Sequence, residues 1–248
     1  IDSIGYYVGQ FGRVPAMLFS LSCDHPDVEE FIKMKDGNTE MQNANISVHC
    51  TEAFYKAVDK DKEWQLTFTI PEVRKGQKVY LDVHSTDKDS LYDEKKKKYY
   101  HLARKNRKEE KIIKTVQARY LLELIAKHMS KCAEPGIQNI DIARKYSNSD
   151  YVYDPTDEYD SRIISTNACS EQYLSRDALC VLSSANVGTF SVNPKEYELQ
   201  LQTVGESLVR FLDNVNTMEV VSGTYATPFQ KMSIEKLRRV GAGYTNIA

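Results

Sequence analysis

Long apolar runs are absent from this sequence. No stretch approaches the roughly 20 consecutive apolar residues that a membrane helix needs, and Ile1 to Gly5 lack the basic-then-apolar layout of a secretory signal. A cytoplasmic chain without a membrane partner is expected. Cysteine is scarce and scattered: five, at positions 23, 50, 132, 169 and 180, with no CxxC pair. That argues against a disulfide scaffold and against structural zinc. The five histidines (25, 49, 84, 101 and 128) are equally dispersed. The one His/Cys neighbour pair, His49 and Cys50, would point to opposite faces of a strand, so no metal site is expected. Strong charge of either sign is missing too. A net charge of −2 and a pI near 6.3 give no reason to expect a nucleic-acid polymer or an anionic membrane as partner.

What is present is 248 residues, 41% hydrophobic, with a mean hydropathy of −0.52, enough for one large domain or two small ones with a real core. The first residue is Ile1, not methionine, and the last six, Gly243 to Ala248, end on an apolar run. Both ends are read as internal to a longer polypeptide.

Along the chain, Asp24-His-Pro-Asp-Val-Glu-Glu-Phe-Ile32 reads as a helix start with Asp24 as N-cap and Pro26 in the first turn, with Gly37 as its stop. Ile46 to Cys50 has strand character, Thr51 caps a helix over 52–60, and Trp64 to Ile70 alternates like a half-buried strand. Residues 86–111 are the most polar part. Lysines 95–98 beside Tyr99 and Tyr100 could grip phosphates, but flanking acids favour a solvated surface helix or helical hairpin. Leu121, Leu124, Ile125, His128, Met129 and Cys132 fall on one helical face, which makes His128 and Cys132 core residues. Ile137 to Ile140 begins another strand, and 146–160 is a tyrosine-rich loop. Asn193 caps a long helix whose apolar stripe is Tyr197, Leu201, Val204, Leu208, Phe211, Leu212 and Val215. Strands alternating with helices predict an α/β class.

Three functional side chains lie within five residues: Asn167, Cys169 and Glu171. In an extended or finger-like loop that spacing points them to one side. The set suits a polyol: the carboxylate takes a hydroxyl proton, the amide exchanges hydrogen bonds with neighbouring hydroxyls, and sulfur does covalent or radical work. Spacing alone does not choose between these, and a cysteine after a strand is most often a small buried hydrophobe.

Ser165-Thr-Asn-Ala-Cys-Ser-Glu-Gln172 resembles the finger loop of ribonucleotide reductases, whose pattern is Asn-x-Cys-x-Glu. Cys180, within Ala178-Leu-Cys-Val-Leu-Ser-Ser-Ala-Asn-Val-Gly188, resembles the downstream redox cysteine. The resemblance continues in family order. Gly12-Arg13 with Ala16-Met17 is similar to the specificity loop, followed by Asp24 to Asp27, Glu29 to Ile32, Asn45 to Val48, Glu134 to Gly136, Arg210 to Val215 and Arg238 to Gly241.

The resemblance implies a ten-stranded α/β barrel with a central finger loop, of which residues 1–248 are the central portion, incomplete at both ends. It implies that Cys169 becomes a thiyl radical that removes the ribose 3′-hydrogen, that Glu171 is general base on the 3′-hydroxyl, and that Asn167 holds the ribose hydroxyls. Cys180 would supply one of two thiols that reduce the 2′ position. Gly12, Arg13, Ala16, Ser165 and Thr166 would belong to the substrate and specificity loops. Ribonucleoside di- or triphosphates would be substrates, deoxynucleotides or ATP effectors, and a thioredoxin-type protein the reductant.

The departures matter as well. Val14-Pro15 stand where the family usually carries Arg-Gly, and Ala168 and Ser170 where it commonly has Pro and Gly. No cysteine precedes Arg13, so the partner thiol of Cys180 and the remaining segments must come from elsewhere, and Cys23 and Cys50 read as structural. The compact spacing from Cys169 to Cys180 is more like the adenosylcobalamin-dependent class than the class fed by a separate metal-containing radical subunit. The alternative reading is a catalytically silent nucleotide-binding or assembly fragment of a split enzyme.

Overall fold

A computed structural model describes residues 15–37, 43–69, 79–81, 90–93, 98–101 and 110–247, which divide into two compact units. The first comprises residues 1–147 and 163–173, the second 148–162 and 174–248.

In the first unit, β1 (Met17–Ser22), β2 (Ala44–Cys50) and β8 (Gly136–Asn139) form a parallel sheet with β2 in the middle. Met17 lies opposite Ala44, and Ser47 opposite Gly136. A central parallel strand is covered on both faces, and in β2 every residue except Asn45 is buried. Helices α1 (Val28–Lys33), α2 (Glu52–Asp59) and α3 (Ala118–Cys132) pack around a core that includes Val28, Ile32, Val48, Phe54, Leu66, Leu121 and Ile125. Phe54 meets Trp64 edge to face, ring centroids 5.3 Å apart, and the Trp64 indole N–H donates to the Cys23 carbonyl at 2.9 Å. Cys23 and Cys50 sit in this core, as the structural reading expects.

Among the described residues from 63 to 117 are β3 (Glu63–Thr69), β4 (Val79–Leu81), β5 (Ser90–Asp93), β6 (Lys98–His101) and β7 (Glu110–Gln117). β3 pairs antiparallel with β7, and β4, β5 and β6 make an antiparallel sheet. The helical reading of 86–111 is therefore corrected where its residues are described: Ser90–Asp93, Lys98–His101 and the start of β7 are strand, and Tyr92, Tyr99 and Tyr100 favour that conformation.

Other readings shift in detail. α1 begins at Val28 with Asp27, not Asp24, at its N-cap, because residues 23–27 form turns in which the His25 imidazole accepts the Asp27 N–H. His128 is buried as expected, but Cys132 is exposed. It is the last residue of α3, and its thiol lies against the His128 and Glu134 carbonyls. Helix α4 (Ile140–Tyr146) follows β8 and lies against β9 (Ile163–Thr166).

In the second unit, β11 (Val181–Asn186) pairs in parallel with β12 (Val240–Thr245), Val181 opposite Val240. Helix α6 (Pro194–Ser222) packs on both strands and on α7 (Pro228–Leu237), while α5 (Asn148–Tyr151) is a single turn. The Asn193 side chain accepts the Lys195 N–H at 3.0 Å, which confirms that cap. The predicted stripe is only partly inside: Leu208 and Leu212 are buried, but Phe211 is 59% exposed. The buried face is rotated toward Asn216, whose amide donates to the Arg239 carbonyl. In the tyrosine-rich loop Tyr159 is buried with its hydroxyl on Ser175 and Arg176, so this part of the loop packs on its own unit.

Both units mix strands and helices, as the α/β class requires, with β3 to β7 following one another without a helix between them among the described residues. Among the described residues the strands group in sheets of two and three, and no helix is long and apolar enough to cross a membrane.

Candidate functional site

Asn167 builds the turn that carries the candidate thiol. Its N–H donates to the Gln172 carbonyl, its side-chain oxygen accepts the Gln172 N–H, and its carbonyl accepts the Ser170 N–H, each at 3.1 Å. An asparagine side chain that bonds nearby backbone is a recurrent turn device. The three functional residues are thus gathered by a tight turn and not by an extended run. The Asn167 side-chain N–H donates directly to Glu171 Oε1. Cys169 lies between them as an exposed free thiol, Glu171 is exposed and Asn167 half-buried.

Ser170 adopts φ +63°, a left-handed conformation that glycine takes without cost and other L-residues take at about 1–2 kcal/mol. Ser170 stands where the resembled loop commonly has glycine. Its hydroxyl is held by the Gln138 amide at 3.3 Å and by the Thr166 hydroxyl at 3.4 Å, contacts that a glycine could not make and that offset part of the strain.

Four elements of the first unit tether this segment. The Ser20 hydroxyl on β1 meets that of Ser165 at 2.8 Å, and the Asn45 amide on β2 donates to the Ala168 carbonyl at 2.8 Å. Gln138 on β8 donates to Thr166 Oγ1 at 2.7 Å. The Arg144 guanidinium on α4 donates twice to the Ile163 carbonyl, at 2.9 and 2.7 Å. Ser165 and Thr166, expected among the substrate residues, therefore use their hydroxyls on the sheet. Ala16 is exposed just ahead of β1, whereas Gly12 and Arg13 lie outside the described residues.

Behind Gln138 stands its cross-strand partner His49. Burial pushes the His49 imidazole down to about 4, with the Arg144 charge acting in the same direction and the Gln138 amide against it. His49 is neutral at neutral pH and belongs to the sheet. Gln138, Asn45, Ser20 and Arg144 were not identifiable as site residues from motif spacing. The available signal was a glutamine in the strand-like segment Ile137 to Ile140, since polar residues buried in strands are there to be hydrogen-bonded.

Cys180, in the second unit, is half-buried just before β11. Its sulfur is 3.8 Å from where a Cβ on Gly241 would lie, and the same Cβ would be 2.3 Å from the Leu182 side chain. A side chain at this position would have to turn the exposed Leu182 methyl aside. Arg239 accepts the Val181 N–H on its carbonyl, and its guanidinium donates to the Ser149 hydroxyl at 2.7 Å; burial lowers that guanidinium from its usual range. Arg238-Arg-Val-Gly241 is thus the strand entry against which Cys180 is placed. No group of three His, Cys, Asp or Glu side chains that could hold a metal occurs among the described residues.

The family model described as ribonucleotide reductase, barrel domain, matches residues 1–248. The chain belongs to this family. Relatives include a vitamin B12-dependent ribonucleoside-diphosphate reductase of Thermoplasma acidophilum, 26% identical over 92% of this chain and 23% of that protein. A vitamin B12-dependent ribonucleotide reductase of Streptomyces avermitilis is 24% identical over 95% of this chain and 22% of its own length. A protein of Frog virus 3, provisionally named a ribonucleoside-diphosphate reductase large subunit, is 24% identical over 98% of this chain and 36% of its length. The chain thus spans between about a fifth and just over a third of the length of these ribonucleotide reductases.

Proposed function

We propose that this chain is the catalytic portion of a cytoplasmic ribonucleotide reductase, folded as part of a ten-stranded α/β barrel, in which Cys169 carries the radical. The observation that carries the reading is the turn 167–172. It joins an amide and a carboxylate by a hydrogen bond, exposes a thiol between them, and is tied to a parallel sheet.

In the proposed reaction the Cys169 thiyl takes the 3′-hydrogen atom of a ribonucleoside di- or triphosphate, breaking C–H and forming S–H. Glu171 accepts the 3′-hydroxyl proton, and Asn167 exchanges its bond to Glu171 for bonds to the ribose hydroxyls. The 2′-hydroxyl leaves as water after protonation by a thiol. Cys180 and a second thiol supply two electrons and end as a disulfide, which a thioredoxin-type reductant reopens. The 3′-hydrogen returns from Cys169, since otherwise each turnover would consume the radical. Deoxynucleotides or ATP would act as effectors through the region of Gly12 and Arg13.

Adenosylcobalamin is the favoured radical source, on the names of the Thermoplasma and Streptomyces relatives, with a separate metal-containing subunit as the other. When bound, it supplies the radical that oxidises Cys169. An exposed free thiol fits such an encounter, and none of the described residues is assigned to hold the corrin.

The test is deoxyribonucleotide formation by this chain assembled with the remaining segments of its reductase, with adenosylcobalamin or a metal-containing radical subunit. Activity that falls to background in Cys169→Ala supports the reading. Full activity in that variant overturns it, and no activity in the intact assembly favours a silent assembly role.

A further inference from the structure

Gln138 is 1% exposed on β8, yet its amide N–H groups reach out of the sheet to both sides of the thiol-bearing turn. Thr166 Oγ1, at 2.7 Å, lies three residues before Cys169, and Ser170 Oγ, at 3.3 Å, lies one residue after it. Thr166 and Ser170 also meet each other at 3.4 Å, which closes a triangle of polar groups across the base of the turn. On the sheet side Gln138 meets His49, its cross-strand neighbour on β2. A buried amide is costly unless it is hydrogen-bonded, and Gln138 places its N–H donors on the turn.

We propose that Gln138 is a positioning residue: it clamps Thr166 to Ser170 and so fixes the direction in which Cys169 presents its sulfur. The role of Cys169 as radical carrier is the reading argued above; the clamp itself is a property of the turn and is tested apart from it. Ser170 makes the need concrete. Held at φ +63°, this residue relaxes toward ordinary backbone when its hydroxyl is released, and the adjacent thiol turns with it. His49 backs the amide as a neutral side chain, leaving Gln138 free to donate toward the turn.

The experiment is amide hydrogen exchange on the full 248-residue chain. It reads the Asn167, Ser170 and Gln172 N–H groups, whose bonds define the turn. Gln138→Leu should speed exchange at these three by about 3- to 10-fold, the change that one lost hydrogen bond corresponds to, while amides of α3 keep their rates. Thr166→Val should do the same from the turn side, Thr166→Ser should restore slow exchange, and Gln138→Leu added to Thr166→Val should give little further change. Unchanged exchange at the turn in Gln138→Leu overturns the proposal. If that variant fails to fold, the Thr166 pair decides: equal rates in Thr166→Val and Thr166→Ser overturn it. In the assembled reductase, Gln138→Leu should lower kcat with KM preserved. A faster-exchanging turn together with an active Cys169→Ala enzyme would sink the radical assignment and leave the clamp standing.

Discussion

Lowering the pH from 7 to 5 should weaken the first unit through a single side chain, His49. Its imidazole is 7% exposed, and burial holds it at about 4 against an ordinary 6.5. Because the folded state binds this proton less readily than the unfolded chain, stability is complete above the unfolded value. It is lost as pH falls through 6.5 and levels out below about 4. A difference of 2.5 units at about 1.4 kcal/mol each bounds the whole effect at roughly 3 kcal/mol, of which about 2 kcal/mol falls between pH 7 and pH 5. Urea unfolding of the chain and of His49→Gln, followed by the fluorescence of Trp64, measures it. Trp64 is the only tryptophan and packs on Phe54 in the same unit. The wild-type chain should lose about 2 kcal/mol more than the variant over this range, with carboxylate titration common to both cancelling in the difference. Equal losses would show that His49 is not held neutral by burial.

Three further outcomes follow from the geometry. In the assembled reductase Glu171→Gln keeps an oxygen to accept the Asn167 amide but has no base, so turnover should fall by about 10²- to 10⁴-fold, read as deoxyribonucleotide formed per minute. Gly241→Ala brings a methyl to 2.3 Å from the end of the Leu182 side chain, which is exposed and can turn aside, so the stability of the second unit, read from its urea midpoint, should change by no more than about 0.5 kcal/mol. Phe54→Ala empties a fully buried site beside Trp64; a loss of about 3–5 kcal/mol is expected by the same fluorescence assay.

The parts of this molecule that were readable in the sequence are those set by local chemistry. Asn193 with Pro194 announces a helix start because cap and ring act within one turn, and the stripe from Leu121 to His128 faces inward because helical period alone decides it. Where a feature depends on distant partners, reading fails. Phe211 belongs to an apolar stripe by period but is exposed, since α6 rotates to place Asn216 on the Arg239 carbonyl. Lysines and acids in 86–111 suggest a solvated helix, yet β5 and β6 pair with each other and with β4, an outcome that composition does not announce. At the site, Asn167, Cys169 and Glu171 were legible as a group because they are neighbours. Gln138 and Ser20 were not, because no local pattern tells a strand hydroxyl or amide which loop it will meet.

The tethers of the thiol turn span very different lengths of chain. Ser20 and Ser165 are 145 residues apart, Asn45 and Ala168 123, and Gln138 and Thr166 only 28. Contacts of long sequence separation form late in folding, after loop closure has been paid in entropy. The Arg144–Ile163 bonds, 19 residues apart, and the Gln138 bond are therefore the ones available early, and the bonds to β1 and β2 lock afterwards. The Cys169 thiol thus comes into register only once the sheet beneath it exists. A short peptide carrying residues 163–173 would inherit the side chains but not the orientation.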